Sequence, residues 1–144
     1  DRGVPLSRKD GSMALSDILG IKLIESTPER YVTEMLVTED MLQPHGVLHG
    51  GISAALAENA ASQCCTDHYD SEKMFFLGVE VNSTHLLPVR AGDTVKTVAT
   101  PIRAGGRISQ WKVEQFRLSD GELFNVSQMT MYGKRRSWDA APNA

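Results

Sequence analysis

The twenty residues from Gln43 to Ser62, QPHGVLHGGISAALAENAAS, constrain this chain more than any other stretch. Gly50 and Gly51 let the backbone turn tightly or lie close to a ligand, and the good helix formers Ala54 to Ala57 follow almost at once. A helix is therefore expected to begin near Gly50. Its first N–H groups lack intrahelical partners and lie at the positive end of the helix dipole. The Gly50 N–H is thus a candidate donor to a carbonyl oxygen that gains negative charge during a reaction. Glu58 follows on the same helix with Ser62 at i+4, which puts both on one face. A carboxylate there is either chemically active or an ordinary solvated helix residue, and spacing alone leaves both readings open. Distance adds a constraint: at a rise of about 1.5 Å per residue, Gly50 and Glu58 stand roughly 12 Å apart. Reacting groups must approach within about 3–3.5 Å. If both residues act on one substrate, a second copy of the chain completes the site, and a homodimer or a dimer of dimers is expected.

The flanking segments show what this helix packs against. Residues 1–12 are polar, with Gly3, Pro5 and Gly11 and no apolar period, and read as a flexible tail that extends to residue 13. Met13 is a candidate natural start. Ser16 to Leu19 suggests a short helical turn before Gly20. Ile21 to Ser26 and Tyr31 to Thr38 read as a hairpin turned at Thr27-Pro28-Glu29-Arg30. The central helix is expected over Gly50 to Asp67, with small residues that let strands come close. Four segments rich in β-branched and aromatic residues follow: Met74 to Leu86, Thr94 to Arg103, Arg107 to Leu118 and Leu123 to Tyr132. Breakers at Pro88 to Asp93, Gly105-Gly106 and Ser119-Asp120-Gly121 separate them. In the last strand Phe124 and Val126 alternate with Asn125 and Ser127 before the parity shifts to Met129 and Met131. Trp111 and Val113 give way likewise to Phe116 and Leu118, and such shifts predict bulges or burial on both faces. Two strands, a long helix and four strands make an α+β pattern, with the helix against a curled antiparallel sheet. Residues 134–144 read as a C-terminal tail.

Composition narrows the function classes. With 144 residues and 41% hydrophobic content the chain holds one domain with a real core. A net charge of −3 and no long basic run argue against nucleic acid as a partner. No apolar run approaches the length of a membrane span, and no signal-peptide pattern is visible, so a cytoplasmic location is expected. Cys64 and Cys65 are adjacent on a helix and point to different sides, which fits packing and excludes a disulfide between them. His45, His49 and His85 have no carboxylate or cysteine at a recognisable metal spacing, so neither metal nor cofactor is expected.

The order Gln43, His49, Gly50, Glu58, Ser62 within the HGxLHGG-plus-helix pattern resembles the hotdog-fold acyl-CoA thioesterases. The likeness is to the branch with a glutamate on the central helix that acts on aromatic acyl-CoA, such as 4-hydroxybenzoyl-CoA, 1,4-dihydroxy-2-naphthoyl-CoA and enterobactin-pathway acyl groups. It covers residues 14–133. The resemblance implies a hotdog fold and hydrolysis of an aromatic or hydroxyaromatic acyl-CoA. It also implies Gln43 and His49 beside the Gly50 N–H, with Glu58 of the partner chain as nucleophile or as base for water, and Ser62 positioning the water or supporting the carboxylate. Residue chemistry leaves His49 a second reading, an imidazole bonded to backbone where the helix begins.

His45, where relatives carry an acyl-pocket residue, and Gln63 are candidates to meet a hydroxylated aromatic group. Coenzyme A carries phosphates, which call for cations or N–H donors near strand ends. Arg90, Gly106 and Arg107 are the candidates, with Arg103 behind them. Some relatives have His and Arg where this chain has Leu86 and Leu87, which shifts the expected phosphate contacts to Arg90 and Arg107. Two other classes remain on the same fold: an enoyl-CoA hydratase or dehydratase, and a non-catalytic acyl-CoA-binding protein.

Overall fold

The computed structural model describes residues 13–137. The expected N-terminal tail over 1–12, and residues 138–144 of the C-terminal one, lie outside the described residues. In chain order the elements are α1 (Leu15–Leu19), β1 (Lys22–Thr27), β2 (Arg30–Leu36), a 3-10 turn (Glu39–Met41), α2 (Gly50–His68), β3 (Met74–His85), β4 (Thr94–Arg103), β5 (Ile108–Arg117) and β6 (Leu123–Arg135). All pairings are antiparallel and the sheet order is β1-β2-β4-β5-β6-β3. Helix α2 touches all six strands, so the sheet wraps it in the hotdog arrangement. β1 and β2 form the expected hairpin, Thr27 opposite Arg30, with Pro28 and Glu29 at its tip. Gly20 ends α1 in the left-handed region at φ 70°, where a residue without Cβ is unstrained.

Small residues on α2 make the close approach to the sheet possible. Ala57, Ala60, Ala61, Cys64 and Cys65 are buried against Tyr31, Ala99, Trp111, Val113, Met129 and Met131. Nearer the start of the helix, Leu56 packs into a second cluster with Met35, Val37, Leu48, Val89, Val95 and Phe124.

Between the clusters the sheet presents polar residues. Thr33 separates Tyr31 from Met35, Thr97 separates Ala99 from Val95, Gln115 follows Val113, and Asn125 and Ser127 precede Met129; all five are buried. This corrects the expected reading of β6. Asn125 and Ser127 share the core-facing parity of Met129 and Met131, and Val126 takes the other face. The apparent parity shifts arise because polar side chains occupy inward positions. A bulge is also present, between Gln115 and Phe116: Gln115 opposes Asn125 while Phe116 opposes Leu123, leaving Phe124 without a direct partner and free to enter the second cluster.

The last strand also runs further than expected, through Gly133 to Arg135 instead of ending at Tyr132. Met74, Phe75 and Phe76 pair with Arg135, Lys134 and Gly133. Gly133 is what admits them: a Cβ there would lie 2.5 Å from Met74 Cε and 3.0 Å from Phe76 Cε1. β2 ends at Leu36, two residues short of the expectation, because opposite Val37 the Asp93 N–H turns to the Arg90 carbonyl and the Gly92 N–H takes the Val37 carbonyl in its place.

Candidate active site

Helix α2 begins at Gly50, directly after His49. The His49 N–H donates to the Met41 carbonyl at 3.0 Å, and the Leu48 N–H to the Val89 carbonyl at 2.8 Å, which fix the approach of the chain. His49 Nδ1 accepts from the Gly51 N–H at 2.8 Å and so caps the helix, the second of its two readings. No described residue accepts from the Gly50 N–H. That donor stands on the wall of a cavity of about 300 Å³, lined on its polar side by Gln43, Ser53 and His85 and on its apolar side by Val47, Leu48, Leu86, Leu87, Val89 and Phe124. Gln43 and Gly50 thus line one cavity, which His49 does not line.

His85 also lines this cavity, although sequence reasoning considered it only as a metal ligand. Its ring lies so close over Gly50 that a Cβ there would collide with Nε2 and stand 2.9 Å from Cδ2 and Cε1. No local spacing reveals this, because the two residues meet only when β3 folds onto α2. The rim of the cavity is tied to the β5–β6 turn, where Arg117 donates to the Pro88 carbonyl at 2.8 Å. Asp120 accepts from Arg117 at 3.1 Å; that bond holds the Asp120 carboxyl below its usual range and raises the guanidinium of Arg117.

Glu58 does not line this cavity. It is exposed on α2, and its carboxylate rests on Gly78 of β3, where an added Cβ would come 2.7 Å from Oε2. Ser62 is half-buried one turn on, and Gln63 is half-buried beside it. His45 is exposed in the loop before the helix. The phosphate candidates lie at two ends of one strand: Arg90 shortly before β4, at a groove with Gly92, Asp93 and Arg117, and Gly106 and Arg107 just beyond its far end. Arg90 belongs to the Gly50 side, since Pro88 borders both its groove and the cavity. Gly106 and Arg107 belong to the Glu58 side, since Ser109 and Gly78 both pair with Met131. One chain therefore does not gather its candidate residues into one place.

The buried cysteines take no part. Burial pushes the Cys64 thiol up to about 12 and the Cys65 thiol up to about 11, so neither supplies a thiolate at neutral pH. Among the described residues no group of three or more His, Cys, Asp or Glu side chains is placed to hold a metal. No helix among them is long and apolar enough to cross a membrane.

The family model of the thioesterase superfamily matches residues 45–124, which spans α2 through the start of β6. The chain belongs to the thioesterase superfamily. It is 34% identical over 124 residues to the 1,4-dihydroxy-2-naphthoyl-CoA hydrolase of Listeria monocytogenes, covering 86% of this chain and 98% of that protein. Among solved structures it is similar to a Haemophilus influenzae thioesterase, with 32% identity, a TM-score of 0.80 and coverage of 90% of this chain and 89% of that one. A variant of a Pseudomonas aeruginosa thioesterase superposes with a TM-score of 0.80 at 30% identity, covering 85% and 87%.

Proposed function

We propose that this thioesterase hydrolyses the thioester of an aromatic or hydroxyaromatic acyl-CoA, releasing the free acid and CoA, in sites shared between two copies of the chain. The observation that carries the proposal is the Gly50 N–H, unpartnered among the described residues, beside Gln43 in a cavity of mixed polar and apolar lining, while Glu58 rests on a strand that no further described strand covers. Among the described residues β3 pairs with β6 alone and is the last strand of the sheet, with Leu77, Val79 and Val81 exposed at 47%, 57% and 42%. A long apolar edge of this kind is normally covered. Pairing β3 with its own copy about a two-fold axis covers it and carries the Glu58 of each chain toward the partner's Gly50 end. The same operation brings Arg90 of one chain and Gly106 and Arg107 of the other to flank one site, where a CoA phosphate needs cations and N–H donors.

In that site the Gly50 N–H polarises the thioester carbonyl, and Gln43 adds a side-chain amide on the same wall. Glu58 either deprotonates the attacking water, giving the free acid directly, or attacks the carbonyl carbon itself, in which case water hydrolyses the resulting Glu58 anhydride after CoA has left and returns the carboxylate. On either route the tetrahedral oxyanion stays at the helix start until the C–S bond breaks and CoA leaves as thiolate. Ser62 supports the carboxylate, His49 stiffens the helix start, and His45 and Gln63 meet polar substituents of the acyl group. The aromatic assignment draws on the apolar wall of Leu86, Leu87, Val89 and Phe124 and on the naphthoyl-CoA hydrolase among the relatives. A cytoplasmic location belongs to the same proposal.

A panel of acyl-CoA esters assayed for free thiol tests the reading. Aryl-CoA esters are expected to exceed short aliphatic ones in kcat/KM, and equal or faster hydrolysis of acetyl-CoA removes the aryl assignment. Hydration of an enoyl-CoA without thiol release would make the protein a hydratase instead. Tight binding of CoA esters with neither reaction would make it a carrier.

A further inference from the structure

A row of polar side chains crosses the floor of the sheet and ends at the cavity. Thr33 stands opposite Thr97, Thr97 opposite Gln115, Gln115 opposite Asn125, and Asn125 opposite His85. The first four are at most 1% exposed. Burying such groups is costly unless they bond, so a row of them between two apolar clusters calls for a physical reason.

Two members of the row supply that reason, since each grips a part of the cavity wall. Gln115 Nε2 donates to the Ser53 carbonyl at 3.0 Å, which fixes the first turn of α2 and with it the Gly50 N–H. Its cross-strand neighbour Asn125 places Nδ2 2.8 Å from His85 Nδ1 and 2.9 Å from Ser83 Oγ. Ser127 Oγ lies 2.8 Å from Asn125 Oδ1 and 2.9 Å from Ser83 Oγ, which holds the Asn125 side chain in place. With the amide N–H donating to Nδ1, the ring N–H stands on Nε2. That Nε2 bonds to no described residue and lies over Gly50 on the cavity wall.

We propose that His85 is a catalytic residue of this site, donating its Nε2–H to the thioester carbonyl oxygen beside the Gly50 N–H. Asn125 and Gln115 are the positioning residues that hold the two donors to one another. The inference rests on the thioesterase reading for its substrate. As water or Glu58 adds to the carbonyl carbon, the π electrons move onto oxygen, and two N–H groups from different elements share that charge; His85 keeps its proton throughout. Two neighbouring amides on one rigid sheet fix both donors before substrate arrives, and such preorganisation is what makes a donor effective.

The test uses the full chain and a non-hydrolysable aryl ketone analogue, in which a methylene separates a ¹³C-labelled carbonyl from the CoA sulfur. Bound to the wild-type protein, the carbonyl resonance is expected to move downfield. His85→Ala should abolish most of that shift and lower kcat/KM for an aryl-CoA ester by about 10²-fold or more, as expected for one lost oxyanion donor. His85→Gln, whose amide reaches close to the Nε2 position, should restore part of both. His85 is exposed, so an unchanged thermal midpoint is expected for these variants. An unchanged carbonyl shift in His85→Ala, with turnover within about threefold of wild type, overturns the proposal. If the analogue fails to bind, the kinetic comparison and the glutamine rescue alone decide. If no acyl-CoA is hydrolysed by the wild type yet the carbonyl shift depends on His85, the reaction assigned above fails while the donor stands. If the wild type neither hydrolyses esters nor binds the analogue, both fail.

Discussion

Gly50→Ala separates stability from activity in a way that the contacts around α2 make explicit. The helix start has ordinary helical geometry, so an alanine there meets no backbone strain, and its helix preference favours folding by at most about 1 kcal/mol. The new Cβ, however, collides with His85 Nε2 and lies 2.9 Å from the flanking ring carbons. Since the imidazole is the exposed end of a flexible side chain, the ring yields and the fold does not. Displacing one preorganised donor lowers turnover by about a hundredfold or more, equivalent to about 2.7 kcal/mol of transition-state stabilisation. The assay pairs free-thiol release from an aryl-CoA with the thermal midpoint. The expected result is an unchanged or slightly raised midpoint with activity down by that factor. The same substitution in a His85→Ala background should cost little more, because the displaced group is already gone. Near-normal turnover of Gly50→Ala, or an equal loss in both backgrounds, refutes the argument.

Glu58→Gln keeps the shape and removes the carboxylate, so kcat should fall at least about a hundredfold while binding of a CoA ester persists, read by calorimetry. Gly78→Ala puts a Cβ 2.7 Å from Glu58 Oε2 and should displace the carboxylate, lowering turnover with the fold intact by circular dichroism; unchanged kinetics would mean that Gly78 does not hold it. The buried thiols set an alkaline limit. Their folded pKa values, about 12 and 11, lie above the ordinary 9.0, so above pH 9 the unfolded state binds fewer protons than the folded one. Stability is then flat below pH 9 and falls above it by up to about 1.4 kcal/mol per pH unit for each thiol, until the folded thiol itself ionises. Tyr31, also raised by burial, adds a loss of the same sign above its ordinary range. Urea midpoints from pH 8 to 11 should show this, with a shallower fall in Cys64→Ala/Cys65→Ala; a flat profile contradicts it.

The start of α2 and both ends of β4 stand where sequence placed them, because Gly50-Gly51, Pro88 to Asp93 and Gly105-Gly106 are local signals whose physics does not depend on the rest of the chain. The faces of β5 and β6 were harder to read. Pattern reading assumes that inward means apolar, and Gln115, Asn125 and Ser127 break that assumption to serve the cavity. His85 was missed for another reason: its partner Asn125 is forty positions away in sequence, and Gly50 reaches it only across the helix–sheet interface. Arg90 and Arg107 look equivalent as cations near strand ends. Only the sheet reveals that β4 keeps them apart.

The central claim is that Gly50 and Gln43 of one chain work with Glu58 of another, and subunit mixing tests it most directly. Glu58→Gln and Gln43→Ala proteins, each inactive alone, are mixed under conditions in which exchange is verified by mass spectrometry. Each heterodimer then holds one site with both defects and one with neither. Up to about half the heterodimer's sites should regain activity, by the symmetry of an isologous pair. Exchanged heterodimers that release no thiol would mean that the catalytic groups are gathered within a single chain.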